Sequence, residues 1–302
     1  MRKFRLSICG IATALSFVAL AMASSVHATE GLPGPRQAQP GGTNWSKTYK
    51  FSGRPNLRVT TNDGHVDLYA STDGQIDAHV TTRGWTIGDR GVKITESQSG
   101  NDINIDVHVP TMHFFFGWND RSVRIELRVP HEADFDVETG DGSVTSQPFH
   151  GQLRISTGDG NIDANGLKGE LRLHSGDGRI TASDLDGSLR ADSGDGHIEV
   201  HGRFDVLNLE SGDGAVVVEA ASGSKISSDW SLRSGDGSIT LRLPDGLNAD
   251  LDAHTGDGHI SLDFPVTVQG SISGSTIRGK IGAGGPPLMI RTGDGSIHIE
   301  KI

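Results

Sequence analysis

Beyond residue 55, apolar and polar residues alternate with period two, and one tetrapeptide interrupts the alternation at regular intervals. Ser/Thr-Gly-Asp-Gly occurs eight times, with its Asp at 141, 159, 177, 195, 213, 236, 257 and 294. The first four intervals are each 18 residues, and 23, 21 and 37 follow. Aligned on the Asp, the apolar positions fall into columns. Leu153/Ile155, Leu171/Leu173, Leu189/Ala191 and Leu207/Leu209 stand six and four residues before it, and Ile162, Ile180, Ile198 and Val216 three after it. Such alternation marks strands with one buried face.

Each repeat therefore predicts a strand, a Gly-Asp-Gly corner, a second strand and a looser turn such as Asn165-Gly166 or Asp186-Gly187. Four apolar side chains cannot form a core alone, but rungs stacked at the ~4.8 Å strand spacing form a continuous one. The fold class expected is all-β: a parallel β-solenoid of ~18-residue rungs with a less regular β-rich N-terminal part. The longer intervals place insertions in the looser turn, the largest between Pro265 and Pro287. The last rung runs to Ile302 without a polar cap, which leaves self-association through the solenoid ends open.

A degenerate copy lies upstream: Leu57 and Val59, Asn62-Asp63-Gly64, then Val66 and Leu68. Val92–Glu96 and Ile103–Val109 read as a hairpin through Ser99-Gly100-Asn101-Asp102, and Val123–Val129 as another strand. Before them, Arg2, Lys3 and Arg5 precede the apolar run Leu6–Ala23, and Val26-His27-Ala28 offers a small-x-small cleavage pattern. The organisation expected is a signal peptide at 1–28, a flexible Pro/Gly-rich linker at 29–44, a β-rich segment at 45–132 and the solenoid at 133–302.

Composition narrows the chemistry. Cys9, the single cysteine, lies inside the leader, so the mature chain holds no thiol for a disulfide, a Cys-based metal site or a nucleophile. The leader also takes three of the 27 basic residues and none of the 38 acidic ones, leaving 24 against 38 and a formal charge near −14. Such a surface disfavours nucleic acid and anionic lipid, and no stable membrane insertion is expected after cleavage.

The row of corner Asp residues is the most conspicuous candidate site. Carboxylates ~4.8 Å apart would repel by about 0.9 kcal/mol per pair in water and about 3.5 at an effective dielectric of 20. Calcium could sit between them. The alternative is a turn in which Asp caps backbone amides and the two glycines supply positive φ, with the Ser/Thr hydroxyl donating nearby. The turn is favoured, because calcium wants six to eight oxygens. Asp159, Asn161, Asp163 and Glu170 match EF-hand positions, but Ala164 stands where that loop needs Gly. His174, His197, His254 and His259 flank corners without metal-site spacing.

Arg154, Arg172 and Arg190 all stand five residues before their Asp and stack as an exposed row, with Asp192 and Glu210 as expected partners. The row is either a solvated strand face or a site for a small anion or glycan carboxylate. The run His113-Phe114-Phe115-Phe116-Gly117-Trp118 reads as a cap over an open end or as an exposed contact patch. No acid/base pair, phosphate loop or nucleophile elbow stands out from the repeat, so no catalytic, cofactor-binding or metal residues are assigned and no cofactor is expected.

The (Ser/Thr)-Gly-Asp-Gly-x-(Ile/Val) rungs from 139 to 262, with Ile277–Gly282 and Ile290–Ile297, resemble the bacterial putative-adhesin family with β-strand repeats, a domain of unknown function. The resemblance implies a non-catalytic exported envelope protein, periplasmic or at the cell surface. It would be adhesin-like or a scaffold, presenting its solenoid to a protein or glycan partner. The alternatives are a polysaccharide-acting, lyase-like β-helix enzyme and a self-assembling exported scaffold.

Overall fold

The computed structural model describes residues 42–111, 121–263, 266–268 and 273–302. Within these residues the fold is all-β, and no helix is long and apolar enough to cross a membrane. Strands β1 (Asn44–Lys50), β2 (Asn56–Thr61), β3 (His65–Ser71) and β4 (Gln75–Arg83) come first. The hairpin β5 (Lys93–Ser99) and β6 (Asp102–His108) and strand β7 (Ser122–Pro130) follow. The regular repeat supplies β8 (Asp134–Thr139), β9 (Val144–Ser146), β10 (His150–Thr157), β11 (Ile162–Asn165), β12 (Lys168–Ser175), β13 (Ile180–Ser193) and β14 (Ile198–Ser211). Then come β15 (Val216–Ala220), β16 (Trp230–Ser234), β17 (Ile239–Leu243), β18 (Ala249–Thr255) and β19 (Ile260–Leu262). The chain closes with β20 (Val266–Val268), β21 (Thr276–Ile281), β22 (Pro287–Thr292) and β23 (Ile297–Lys301).

Through the regular repeat, neighbouring strands are parallel and like residues lie side by side. Leu153 pairs with Leu171 and Leu171 with Leu189; on the other side of the corner, Ile162 pairs with Ile180 and Ile180 with Ile198. A slip of one residue would turn every apolar side chain outward, so the alternation itself fixes this register. The columns are buried almost completely, with Leu171, Leu189, Ile180 and Ile198 all at 1% exposure or less. Each fully buried Leu or Ile contributes about 1.5–3 kcal/mol. Where Trp230 replaces the usual Leu it remains buried and meets Phe204 edge to face at 6.3 Å.

The looser turn departs from expectation at Asp186-Gly187. The chain does not break there; β13 runs through it, with register shifts against β14 at Ala182/Leu185 and Gly187/Ser188. These irregularities absorb a change of spacing from 18 to 17 residues, so that Asp186 faces Arg203.

At both ends, spatial order differs from chain order. The degenerate copy pairs in register with the repeat, Leu57 beside Phe135 and Val59 beside Val137, but β2 lies between β6 and β8, and β3 between β7 and β9. The β5–β6 hairpin forms as expected. Antiparallel β4 joins β7, and β1 joins β4.

The final rung is not the open end that the sequence suggested. β22 inserts between β16 and β18, and β23 between β17 and β19. The outer edge of β18 is covered by antiparallel β21, which also pairs with β20. The 37-residue interval provides this cover, and burying the last rung satisfies both of its hydrogen-bonding edges.

Candidate functional site

The corner motif divides its labour differently from the sequence expectation. Counting by two from the inward positions six and four before the Asp reaches the Ser/Thr two before it, and that side chain is buried: Ser175 is 0% exposed and Ser211 2%. The Ser175 hydroxyl donates to the Gly160 carbonyl at 2.9 Å, and the Gly178 N–H donates to the hydroxyl at 2.9 Å. Ser193 and Ser211 repeat both bonds one and two rungs on. The first glycines form a second chain of bonds: Gly176 N–H reaches Gly158 O, and Gly194 N–H reaches Gly176 O, each at 2.6 Å.

The corner glycines do not adopt positive φ. They are required by close approach, because a Cβ on Gly178 would overlap the Gly160 carbonyl oxygen and one on Gly196 the Gly178 oxygen. The eight corner Asp side chains are exposed, and among the described residues none has a hydrogen-bond or ion-pair partner. The capping role expected of Asp belongs to the hydroxyl, since the corner turns the Asp outward.

The Arg row is present and in register: Arg154 beside Arg172, Arg172 beside Arg190. Its partners are not Asp192 and Glu210. Arg172 bonds Glu170 at 2.5 Å, Arg190 lies 3.7 Å from the same carboxylate, and Arg154 lies 3.8 Å from Asp136. Asp192 instead engages His174, its register partner on β12.

Beside the row lies a groove of ≈ 520 Å³ lined by Lys168, Glu170, Ser188 and Arg190 together with Asp186, Arg203 and Asp205. Its floor includes Gly169 and Gly187, at φ 118° and 139°. A Cβ on Gly187 would overlap the Gly169 carbonyl, so the floor carries no side chains there. Arg203 donates both terminal nitrogens to Asp205 at 2.7 and 3.0 Å and its Nε to Asp186. Hydrogen bonds to Asp205 first, then Asp186, raise its pKa further above the ordinary guanidinium value. The groove leaves a trace in the sequence, where Gly151, Gly169 and Gly187 recur every 18 residues.

The remaining candidates scatter. Asn161 accepts from the Arg179 N–H at 2.9 Å, Glu170 faces the Arg row, and Ala164 is buried, so the EF-hand-like set does not converge. His254 meets the Thr276 hydroxyl at 2.9 Å, and the His259 N–H donates to Ser296 Oγ at 3.4 Å. His197 serves through its backbone carbonyl, which accepts from Ile180. Among the described residues no three His, Asp or Glu side chains are grouped to hold a metal ion. The aromatic run 113–118 lies outside the described residues.

One carboxylate on the outermost rung is strongly engaged. Arg291 bonds Asp252 at 2.6 and 3.2 Å, and Arg278 at 3.2 Å. The Arg291 hydrogen bond, against the opposing effect of burial, holds Asp252 below its ordinary pKa, with Arg278 assisting. A depressed pKa in the folded state stabilises above the unfolded value of about 3.9 and is lost as pH falls through the folded value. Asp252→Asn is therefore expected to cost about 1 kcal/mol at neutral pH and progressively less as pH falls below about 3.9, read by urea unfolding across that range.

Three comparisons with known proteins bear on this architecture. The family described as Toastrack DUF4097 matches residues 55–300. Among solved structures, a putative adhesin from Bacteroides fragilis NCTC 9343 is 14% identical with a TM-score of 0.44, covering 88% of this chain and 100% of its own. A putative lipid binding protein from Parabacteroides distasonis ATCC 8503 is 17% identical with a TM-score of 0.48, covering 86% and 98%. No curated protein matches the chain.

Proposed function

The chain belongs to the Toastrack DUF4097 family, and on that premise we propose that it is a non-catalytic, adhesin-like envelope protein presenting a stiff strand face to a protein or glycan partner. In this reading residues 1–28 are a signal peptide, 29–44 a tether, and the strand ladder a parallel β-solenoid of ~18-residue rungs, periplasmic or at the cell surface. The in-register columns of Leu and Ile support the solenoid.

The observation that carries the function is the groove beside the Arg row. It sets Lys168 and Arg190 beside Glu170, Asp186 and the Arg203–Asp205 pair over a floor of glycine, next to the in-register Arg154 and Arg172. The buried hydroxyls and glycines of every rung are committed to the ladder, so the strands carrying these cations hold fixed spacing. Rigid presentation of polar groups lowers the ordering cost of binding.

The test is binding of residues 29–302 to a panel of purified envelope glycans and proteins, with polymer length followed over a long incubation. Saturable binding that Lys168→Glu with Arg190→Glu abolishes, without shortening of any polymer, is the expected result. Depolymerisation with release of unsaturated product would establish a lyase instead, and binding indifferent to both substitutions would place the contact elsewhere.

A further inference from the structure

The Arg row also carries the chemistry of its partner, given the binding role just proposed. Three guanidiniums repeat at the strand spacing of ~4.8 Å, and as isolated charges in water each neighbouring pair would repel by about 0.9 kcal/mol. Two carboxylates offset this in part: Glu170 is shared by Arg172 and Arg190, and Asp136 by Arg154 and Arg58. Arg172 alone is tightly bonded, to Glu170. Arg154 and Arg190 lie 3.8 and 3.7 Å from their nearest carboxylates, beyond hydrogen-bond reach, and are 64% and 55% exposed. Among the described residues neither guanidinium donates a hydrogen bond, so both planar forks are available to a ligand.

We propose that this row binds a linear acidic polysaccharide carrying a carboxylate on every sugar, a polyuronate, laid across β10, β12 and β13 with one sugar per rung and the carboxylates of its first and third sugars on Arg154 and Arg190. Three features select this ligand. A guanidinium pairs best with a planar carboxylate through two parallel N–H bonds, and the row's existing neighbours, Asp136 and Glu170, are carboxylates. An extended pyranose chain advances by about one strand spacing per sugar and turns successive sugars over, so the carboxylates of the first and third sugars face the two free forks, of Arg154 and Arg190, two strand spacings apart. The side-chain-free floor at Gly169 and Gly187 admits a flat ring close to the backbone, with Lys168 and Ser188 at its border.

The row is also finite. In the same register Asp136 precedes Arg154 and Asn208 follows Arg190, so the footprint is three consecutive uronates. The net negative charge of the rest of the chain opposes polyanions that cannot match this spacing.

The experiment measures binding of residues 29–302 to galacturonate oligomers of two, three and six residues and to neutral dextran, at low and raised salt. The expected result is binding that strengthens sharply from dimer to trimer, weakens with salt, and is absent for dextran. Arg154→Gln/Arg172→Gln/Arg190→Gln should weaken the trimer at least ~100-fold at an unchanged melting temperature, about tenfold or more for each guanidinium–carboxylate fork. Arg190→Gln alone should weaken it about tenfold and guards against misfolding of the triple variant. No binding to any galacturonate oligomer, or equal binding by the triple variant, overturns the proposal. If dextran or an envelope protein binds the same face while galacturonate does not, the polyuronate assignment fails and the binding role stands.

Discussion

Replacing Gly178 with Ala is expected to be among the most damaging single-methyl changes in this protein, costing about 4 kcal/mol or more and lowering the melting temperature by roughly 10 °C or more. The added Cβ would overlap the Gly160 carbonyl oxygen, a backbone atom that cannot swing aside. That carbonyl also accepts the Ser175 hydroxyl, and the strands leaving the corner hold Ile162 beside Ile180. Relief of the overlap requires two rungs to separate, breaking the ladder on both sides of the corner. Thermal unfolding of the variant reads the cost directly. A loss below 1 kcal/mol would mean that the corners do not stack this closely.

The second large effect is expected from Ser175→Ala. The change removes one oxygen atom and leaves two backbone groups without partners, the Gly160 carbonyl and the Gly178 N–H, both on buried residues. A buried polar group stripped of its hydrogen bond costs about 1–3 kcal/mol, and at the lower half of that range, about 1–2 kcal/mol each, the pair is expected to cost about 2–4 kcal/mol. Ser175→Thr should retain most of the stability, because Thr157 and Thr255 make the same two bonds in their own rungs. Urea unfolding of the two variants beside the wild type separates loss of the hydroxyl from loss of side-chain volume.

Much of the ladder was legible in the sequence because one period governs both burial and pairing. The columns through Leu153, Leu171 and Leu189 and through Ile162, Ile180 and Ile198 could be read as inward-facing, and the structure pairs them residue for residue. The same parity count places Ser175 inward, so the hydroxyl row was implicit in the pattern; attention to the more conspicuous Asp obscured it. Strand order at the ends was not legible. Leu288 and Ile290 fit beside Trp230 and Leu232 as well as beside Leu251 and Ala253, and Ile297 and Ile299 beside Ile239 and Leu241 as well as beside Ile260 and Leu262; the structure pairs them with both. Columns so alike do not encode which neighbour comes next.

The candidate site was legible in part for a related reason. Arg154, Arg172 and Arg190 keep the 18-residue frame and emerge from it as a row. Glu170 lies two residues from Arg172 on the same strand face, and a search confined to one offset does not find it. Arg203 lies beyond the irregularity in β13 and β14, where Asp186 faces a residue 17 positions on, so a fixed frame misaligns it. The groove forms where the repeat loses its regularity, which is where a search for repetition looks least.

Which residue of the repeated tetrapeptide holds the rungs together is tested most directly by the unfolding free energy of Asp177→Ala measured beside Ser175→Ala in residues 29–302. A change within about 0.5 kcal/mol is expected for Asp177→Ala, unaffected by calcium or chelator, against a loss of about 2–4 kcal/mol for Ser175→Ala. A large loss for Asp177→Ala with little for Ser175→Ala, or a wild-type stability that falls when calcium is removed, would contradict that expectation and make the acidic row, not the hydroxyl row, the structural spine.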